Sequence, residues 1–414
     1  MSTLMAASNR EGKKLNDVIF QAGAAVRQAI AQHGSDAVVN GTLGSFALDD
    51  GSVACLPVVE KLFHALPMNE FVCYAPPVGL PGYKDAVIHA IFADQQPDAF
   101  IDAVASAGGT GAVHMAIANY SEPGDAVLTS DWRWDAYGAL CSEIGRNLQT
   151  FSLFDGQRHF NVPHFQAMVN AVCRMQDSLL IILNTPAHNP TGFSLSSDEW
   201  DAVIDVTLAQ ARKGKKMTIL VDIAYIDYAG EKNDVRSFMK KFTGLPDNVL
   251  ILFAFSMSKG YTLYGQRAGA LAALSCSKGV IEEFHHVVTY SARAAWSNVN
   301  RGAMTILTMI QNDKALQQEL EREQRTVFET IRKRSGIFIK EASECQLPAL
   351  PYQSGFFISI PAHDSAAVCN HLHEDLIFAG PLAMGVRFAV CSVSADKMTG
   401  VAAKIKKAFD VVGE

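Results

Sequence analysis

The stretch VLILFAFSMSKGYTLYGQRAG, residues 249–269, joins an uninterrupted apolar run to a lysine that lies among small hydroxyl residues. Lys259 follows Ser256 and Ser258, and Arg267 comes eight residues later. Apolar runs that do not alternate with polar residues are typical of strands covered on both faces of a parallel sheet. The stretch therefore predicts a buried strand that places Lys259 at its carboxyl end, away from bulk water.

Further apolar runs of this kind are separated by stretches that read as helices. The segment 196–214 opens with serine and acidic residues and closes with Lys-Gly, which is a typical helix start and stop. Alternating strands and helices predict an α/β fold, with a mainly parallel sheet between helices and ligands at the carboxyl ends of the strands. The other predicted strands are 125–130, 178–185, 217–225 and 268–274.

The two ends of the chain differ in texture from this central part and predict a smaller lobe. A long charged helix is predicted over 313–334, and GFFISI (355–360) and GVRFAV (385–390) read as strands that follow it. The N-terminal stretch 15–34 has the pattern of an amphipathic helix, and we expect it to pack with this lobe.

Composition argues against several classes of protein. Asp and Glu number 42 against 35 Lys and Arg, and the net charge of −7 disfavours a surface for nucleic acid or anionic membranes. The eight cysteines lack a Cys-x-x-Cys pair, which indicates reduced thiols in a cytoplasmic protein. No apolar run reaches the ~18 residues of a membrane span. The histidines at 285–286 and 371–373 lack matched ligand partners, so we expect no metal.

Two charged residues stand where buried strands are predicted to end. Asp222 interrupts the apolar segment MTILVDIAY (217–225). A buried carboxylate needs either a cation, such as a protonated ring nitrogen, or a network of hydrogen bonds, and the residues alone leave both open. We expect the apolar setting and the nearby Arg267 to lower the pKa of Lys259 and make it an amine nucleophile. The alternative is an ordinary surface lysine.

The segment SAGGTGA (106–112) precedes a predicted helix and offers a site for phosphate. Backbone amides at the positive amino end of a helix bind anions, although the same glycines also suit a plain strand-to-helix turn. The residues expected to contact a phosphate are Gly109, Thr110, Gly111, Ser256, Ser258 and Arg267.

Pyridoxal phosphate is the cofactor that needs a lysine imine, an acid for its ring nitrogen and a phosphate cradle. Trp134 suits stacking on such a ring, or a place in the core. With its further motifs, the chain resembles the fold type I pyridoxal-phosphate aminotransferases of the aspartate and aromatic amino-acid branch. The resemblance is carried by NDVIF (16–20), GTLGSFALDDGSVACLPVVEK (41–61), YAPPVGLPGY (74–83), GGTGA (108–112), HNPTG (188–192), DIAYIDY (222–228), SMSKGYTLYGQRAG (256–269), RAAWSN (293–298) and GVRFAV (385–390).

This resemblance implies a large cofactor-binding domain over 50–315 that contains a mainly parallel seven-stranded sheet. It implies a smaller domain that combines 1–49 with 316–414. It also implies a homodimer, in which Tyr74 and Arg293 reach the site of the neighbouring subunit.

The resemblance further implies a role for each matching residue of the cofactor site. Lys259 would form the imine with the cofactor and later carry a proton between the substrate Cα and the cofactor C4′. Asp222 would keep the ring nitrogen protonated, so that the ring draws electrons. Tyr225 and Asn189 would bond the phenolic oxygen, and Tyr74 would join the phosphate contacts from the second subunit.

Substrate contacts are implied for the small lobe. Arg387 would clamp the α-carboxylate, helped by the backbone of Gly44 and the amide of Asn189; a surface ion pair is the alternative for Arg387. The implied reaction is a ping-pong transamination, in which an L-amino acid leaves as its keto acid and a 2-oxo acid receives the amino group.

Arg293 falls where this branch carries the arginine that binds a distal carboxylate, a task that suits a planar guanidinium. It favours 2-oxoglutarate as one substrate, with a helix-surface arginine as the alternative. Tyr137 replaces the histidine that is usual in aspartate enzymes, and the loop 41–50 lacks their basic residue. Since Trp296 and Phe46 suit a pocket for a ring, aromatic or broad specificity is favoured slightly over aspartate.

Two alternatives belong to other activities. A C–S lyase, decarboxylase or racemase would use the same cofactor and scaffold, but Arg293 together with Arg387 favours dicarboxylate half-reactions. A ligand-sensing domain of a transcription regulator would need an attached DNA-binding segment. We expect too little room for one before Gly41.

Overall fold

The computed structural model describes residues 5–7, 10–14 and 18–414. Its strands are β1 (Val39–Asn40), β2 (Phe100–Ala107), β3 (Ala126–Ser130), β4 (Asn147–Phe151), β5 (Ser178–Asn184), β6 (Lys216–Asp222), β7 (Val249–Ser256), β8 (Ala268–Ser275), β9 (Phe357–Pro361), β10 (Ile377–Phe378), β11 (Gly380–Leu382) and β12 (Gly385–Ala389).

The α-helices of the described part are α1 (Val18–His33), α2 (Pro57–Ala65), α3 (Asn69–Val72), α4 (Tyr83–Phe92), α5 (Gly108–Asn119), α6 (Ala136–Glu143), α7 (Val162–Met175), α8 (Ser197–Ala211), α9 (Met257–Gly260), α10 (Lys278–Ala295), α11 (Arg301–Gln311), α12 (Lys314–Glu344), α13 (Ser365–Leu372), α14 (Ala395–Met398) and α15 (Val401–Val412). Short 3₁₀ helices cover Ser35–Ala37, Ile226–Tyr228, Asp234–Phe242, His373–Asp375 and Val390–Ser392.

A seven-stranded sheet forms the centre of the molecule, in the order β2-β8-β7-β6-β5-β3-β4. Strand β8 is antiparallel to both of its neighbours, and the other pairings are parallel. All eight residues of β7 and of β8 are buried. Both faces of these strands are covered, which explains why their sequences are apolar without alternation. The predicted α/β fold with a mainly parallel sheet between helices is confirmed.

Several element boundaries differ from those expected. Strand β6 ends at Asp222, because the backbone then turns into the 3₁₀ helix Ile226–Tyr228 and leaves Tyr225 outside the strand. Strands β2 and β4 lie at the two edges of the sheet and carry polar residues, which hid them from a search for apolar runs. Helix α12 continues to Glu344, since its buried stripe extends to Phe338 and Ala342.

Other boundaries follow the expected signals. Helix α8 begins with a capping box, in which Ser196 accepts from the Glu199 amide and the Glu199 carboxylate accepts from the Ser196 amide. Helix α1 covers most of the predicted stretch 15–34, of which residues 15–17 lie outside the described ranges.

The smaller sheets lie near the two ends of the chain. Strands β11, β12 and β9 form an antiparallel sheet, and β1 pairs in parallel with β10. The long helix α12 packs beside them, with Phe338 stacked on Phe388 at a ring-centroid distance of 5.3 Å. Within the described ranges, we find no helix that is long and apolar enough to cross a membrane.

A fully buried arginine connects three segments around these small sheets. Arg334 on α12 donates to the carbonyls of Ala47 and Cys391, at 2.9 and 2.7 Å, and to the carboxylate of Asp49 at 2.8 Å. Its guanidinium also lies 5.1 Å from the centre of the Phe46 ring. The loop around residue 46 and the segment after β12 are therefore attached to the same helix.

Gly269 lies at a point where the backbones of β7, β8 and α5 approach one another closely. It pairs with Ser256 of β7, and a Cβ atom at this position would lie 2.9 Å from the carbonyl carbon of Gly108 and still closer to the carbonyl oxygen of Phe255. Real Cβ atoms essentially never approach backbone so closely. A side chain at residue 269 would therefore force β8 and the start of α5 apart.

We predict that Gly269→Ala lowers the free energy of unfolding by about 2 kcal/mol, the usual cost of overpacking a rigid site. Chemical denaturation of the purified variant measures this change. Gly336→Ala is the matched control, because residue 336 is exposed within α12 and a Cβ there meets nothing within 4 Å. It should stabilise the protein by about 0.5–1 kcal/mol through helix propensity. Equal effects of both substitutions would contradict the packing argument.

Candidate active site

Lys259 lies in the short helix α9, directly after β7. The helix begins where the Ser256 hydroxyl accepts a hydrogen bond from the Ser258 amide at 3.2 Å. The Lys259 ammonium donates to the carbonyl oxygen of Gly44 and lies 4.8 Å from the centre of the Tyr264 ring. Burial lowers the pKa of Lys259 to about 8; Cys391 raises it, whereas Arg387 and Arg267 lower it further. A large fraction of this amine is thus neutral near pH 8 and able to act as a nucleophile.

Asp222 lies at the end of β6, one strand away from the lysine. Its carboxylate is buried and accepts hydrogen bonds from the Tyr137 hydroxyl at 2.6 Å and from the Ala224 amide at 3.2 Å. Burial raises the pKa of Asp222, against both hydrogen bonds, which lower it. None of the described residues forms an ion pair with it, so a protonated ring nitrogen would supply the cation that this buried group lacks.

Asn189 connects the phenol that follows β6 to Arg387 of β12. Its amide nitrogen donates to the Tyr225 hydroxyl at 3.3 Å, and its amide oxygen accepts from Arg387, also at 3.3 Å. Its backbone is fixed by Asn184, whose side-chain oxygen accepts from the Asn189 N–H at 2.6 Å. Burial raises the pKa of Tyr225, so the phenol is neutral at ordinary pH.

Arg387 projects from β12 toward the same place. Its guanidinium lies 4.3 Å from the centre of the Phe357 ring and donates to the Thr42 carbonyl at 3.3 Å. Gly44 follows two residues after Thr42 and offers its carbonyl to Lys259. A cation from β12 and the backbone segment that contains Gly44 therefore lie close to Lys259.

The amino end of α5 lies beside α9, where a cation and several hydroxyls meet. Arg267 donates to the Ser258 hydroxyl at 3.2 Å and to the Thr110 hydroxyl at 3.3 Å. A Cβ at Gly108 would lie 2.7 Å from the Arg267 guanidinium, and one at Gly109 would lie 3.2 Å from Ser256. The missing side chains leave the first amides of the helix open to an anion, which fits a phosphate group.

Two tryptophans lie around this group. Trp134 packs edge to face on Tyr137, with ring centres 5.5 Å apart, and so lies close to Asp222. The Trp296 ring lies against Gly111, where a Cβ would be 3.2 Å from it. Phe46 is buried under Arg334, and its amide donates to the Tyr264 hydroxyl at 2.9 Å.

Tyr74 and Arg293 lie on the surface of the chain. Tyr74 is 87% exposed, and its carbonyl accepts from Arg301. Arg293 is exposed near the end of α10 and bonds to the Ser297 hydroxyl. Their contacts are with residues outside the group around Lys259.

Sequence reasoning did not find three residues that take part in this arrangement. Tyr137 was noted only as a replacement for histidine, yet its hydroxyl contacts Asp222. Asn184 is the last residue of β5, so its place at the end of a predicted strand was the available signal. Tyr264 lies between Lys259 and Arg267, and its place within that motif was the available signal. In the described part of the chain, no group of three or more His, Cys, Asp and Glu residues is placed to hold a metal ion.

Comparisons with known proteins agree with this geometry. A family model described as aminotransferase class I and II matches residues 39–405. The aromatic-amino-acid aminotransferase of Escherichia coli (strain K12) is 26% identical over 289 residues, which cover 67% of this chain and 70% of that protein.

Solved structures show the same fold over nearly the whole chain. The crystal structure of an aminotransferase from Anaerococcus prevotii is 34% identical, with a TM-score of 0.96, and the match covers 98% of this chain and 99% of that one. An aromatic-amino-acid aminotransferase from Burkholderia pseudomallei, covalently bound to pyridoxal phosphate, is 22% identical, with a TM-score of 0.78, and covers 97% and 100%.

The family match spans most of the chain, and it confirms the resemblance that the motifs carried. It also confirms the expectation of a transaminase that depends on pyridoxal phosphate, and it does not favour the lyase, decarboxylase, racemase or regulator alternatives. The chain belongs to the aminotransferase class I and II family.

Proposed function

We propose that this protein transfers the amino group between an L-amino acid, aromatic or aspartate, and a 2-oxo acid, with 2-oxoglutarate as the favoured acceptor. The observation that carries this proposal is that three groups meet at the carboxyl ends of the central strands. They are the half-buried amine of Lys259, the buried carboxylate of Asp222 and the open amino end of α5 beside Arg267.

The residues present fit pyridoxal phosphate. When bound, this cofactor supplies an aldehyde for a lysine amine and a ring that withdraws electrons from the substrate Cα. Asp222 would hold the proton on the ring nitrogen, because a buried carboxylate without a cation strongly favours such a partner. Tyr225 and Asn189, bonded to each other, would hold the phenolic oxygen.

The phosphate would lie at the amino end of α5. The amides of the first helical turn and the Arg267 guanidinium would hold its charge, and serine and threonine hydroxyls would donate the remaining hydrogen bonds. Trp134 would cover one face of the ring. The residues that we assign to the phosphate are Gly109, Thr110, Gly111, Ser256, Ser258 and Arg267, with Tyr74 from a second subunit.

The substrate would enter from the side of the small lobe. Arg387 would bind the α-carboxylate through its planar guanidinium, and Asn189 already bonds to that guanidinium on the cofactor side. The Gly44 carbonyl, which now accepts from Lys259, would be released when the lysine takes up its covalent task. Once the substrate amine has replaced Lys259 in the bond to the cofactor, the freed Lys259 Nζ would take the proton from the substrate Cα and return it at the cofactor C4′.

We further propose that two chains assemble as a homodimer, so that Tyr74 and Arg293 complete the neighbouring site. Their exposure supports this, since both side chains lie outside the group around Lys259. Exposed apolar side chains next to Tyr74 also support it, because clustered apolar surface is typical of interfaces. These side chains are Met68, Phe71 and Val72, which are 70%, 47% and 67% exposed.

Domain organisation and location are further proposals. We assign 50–315 to the large cofactor-binding domain and 1–49 with 316–414 to the small domain. The assignment is supported by the seven-stranded sheet, whose strands lie between Phe100 and Ser275. All eight cysteines are free, which supports a reducing compartment and hence the cytoplasm.

We predict that Lys259→Ala loses the covalent attachment of pyridoxal phosphate and lowers kcat by at least about 10²–10⁴-fold, the usual share of a positioned general base. Absorbance spectra and steady-state assays measure both effects. Lys278→Ala, which removes an exposed ammonium from α10, should leave both unchanged. A Lys259→Ala protein with normal turnover would contradict the proposed role.

The lowered pKa of Lys259 predicts the pH dependence of cofactor attachment. Only the neutral amine attacks, and its fraction rises about tenfold per pH unit until the pH reaches the pKa of about 8. The attachment rate of cofactor-free protein should therefore level off near pH 8. A free lysine derivative, whose pKa is about 10.4, should keep gaining rate well above this. Parallel curves for protein and free lysine would show that the site does not lower the pKa.

We predict that Arg293→Leu lowers kcat/KM about a hundredfold for glutamate and aspartate, because a charge-assisted carboxylate contact is lost. The value for phenylalanine should change no more than about threefold. Lys278→Leu, which removes another exposed cation of α10, is the matched control. Equal losses of kcat/KM for all three amino acids would show that Arg293 does not bind the distal carboxylate of the substrate.

Mixing two defective proteins tests whether Arg293 acts across the interface. A hybrid dimer of Lys259→Ala and Arg293→Leu chains contains one site with both native residues if the arginine comes from the neighbour. Activity toward glutamate should then reappear in the mixture. If the arginine serves its own chain, mixing should restore nothing.

A further inference from the structure

The hydroxyl of Tyr137 makes a short contact with the buried acid of the site. It donates to Asp222 Oδ2 at 2.6 Å, while Oδ1 of the same carboxylate accepts from the Ala224 amide at 3.2 Å. The two carboxylate oxygens thus accept from two different donors, one on α6 and one in the turn after β6. A carboxylate fixed at both oxygens has little freedom to rotate.

The Tyr137 ring is itself held firmly. It is fully buried in an apolar cluster, and Trp134 packs against it edge to face at 5.5 Å. Burial raises the pKa of Tyr137 well above its ordinary value, so the phenol stays neutral and acts as a donor toward Asp222. Donation to the charged form of a carboxylate favours that form, whereas burial of Asp222 favours the protonated one.

We propose that Tyr137 is a positioning residue that keeps Asp222 ionised and aimed at the ring nitrogen of the cofactor. The inference rests on the proposed function, since it requires that Asp222 faces that nitrogen. Tyr137 stands where aspartate enzymes usually carry histidine. In this chain a neutral phenol supplies the hydrogen bond to the acid.

Among the described residues, removal of the hydroxyl would leave the Ala224 amide as the remaining donor to the buried Asp222 carboxylate. Its protonated form would then gain at the expense of the carboxylate. A protonated Asp222 holds a protonated ring nitrogen poorly, because neither group would then carry the negative charge of the pair. The defect should therefore appear only with a cofactor that has a basic ring nitrogen.

The test measures the binding of pyridoxamine phosphate, which attaches without a covalent bond, to full-length cofactor-free protein. We expect Tyr137→Phe to weaken this binding about tenfold or more, the usual effect of losing a hydrogen bond to a charged group. For an analogue with C–H in place of the ring nitrogen, Tyr137→Phe should weaken binding by no more than about twofold. Equal weakening of both compounds, or of neither, would overturn the proposal.

Tyr83→Phe is the matched control, because it removes another buried phenol hydroxyl, one that donates to the Gly269 carbonyl at 2.9 Å. The ratio of the dissociation constants of the two compounds should be the same for Tyr83→Phe as for wild type. Tyr137→His restores an N–H donor and should recover part of the preference for pyridoxamine phosphate over the analogue. If Tyr137→Phe fails to fold, the comparison of Tyr137→His with wild type decides the outcome. A Tyr137→His protein that is as defective as Tyr137→Phe, or that shows no preference for pyridoxamine phosphate over the analogue, would count against the proposal.

The two levels of inference fail differently. If wild type neither attaches pyridoxal phosphate at Lys259 nor prefers pyridoxamine phosphate over the analogue, the proposed function itself is wrong. If wild type does both and Tyr137→Phe keeps the same preference, only the role of Tyr137 is wrong.

Discussion

The pairing of β6 with β7 sets the geometry on which the site depends. In this register Asp222 lies opposite Ala254, and β7 ends at Ser256, so the acid and the lysine-bearing turn leave the sheet side by side. Helices cover both faces of the sheet, so Asp222 is buried at the strand end and Lys259 is half-buried beside it. The burial that disfavours the charge on each group is what makes the amine nucleophilic and the carboxylate demand a cationic partner.

The central strands and the cluster of motifs at their ends could be predicted from the sequence, because local apolar runs and rigid turns mark them directly. The edge strands β2 and β4 could not, since their polar residues lack that signal. The bond between Tyr137 and Asp222 joins residues 85 positions apart. Periodicity and spacing carry no information about such a contact, which only the packing of α6 against the sheet creates.

Arg293 and Tyr74 illustrate a different limit. Their residue types and neighbouring motifs single them out, yet a single chain leaves both on its surface. The sequence resemblance singles out both residues, whereas the contacts within this chain do not connect either of them to the group around Lys259. Gly44, Asn189 and Arg387 are the reverse case, because they come from distant parts of the sequence and lie close together within this chain.

The guanidinium of Arg334 donates hydrogen bonds to the loop that follows Gly44 and to the segment that follows β12, the strand that contains Arg387. Because the Arg334 side chain is fully buried, these hydrogen bonds hold both segments against α12. Removal of this one side chain would therefore release both segments together, so a change on α12 would reach the two segments that carry Gly44 and Arg387.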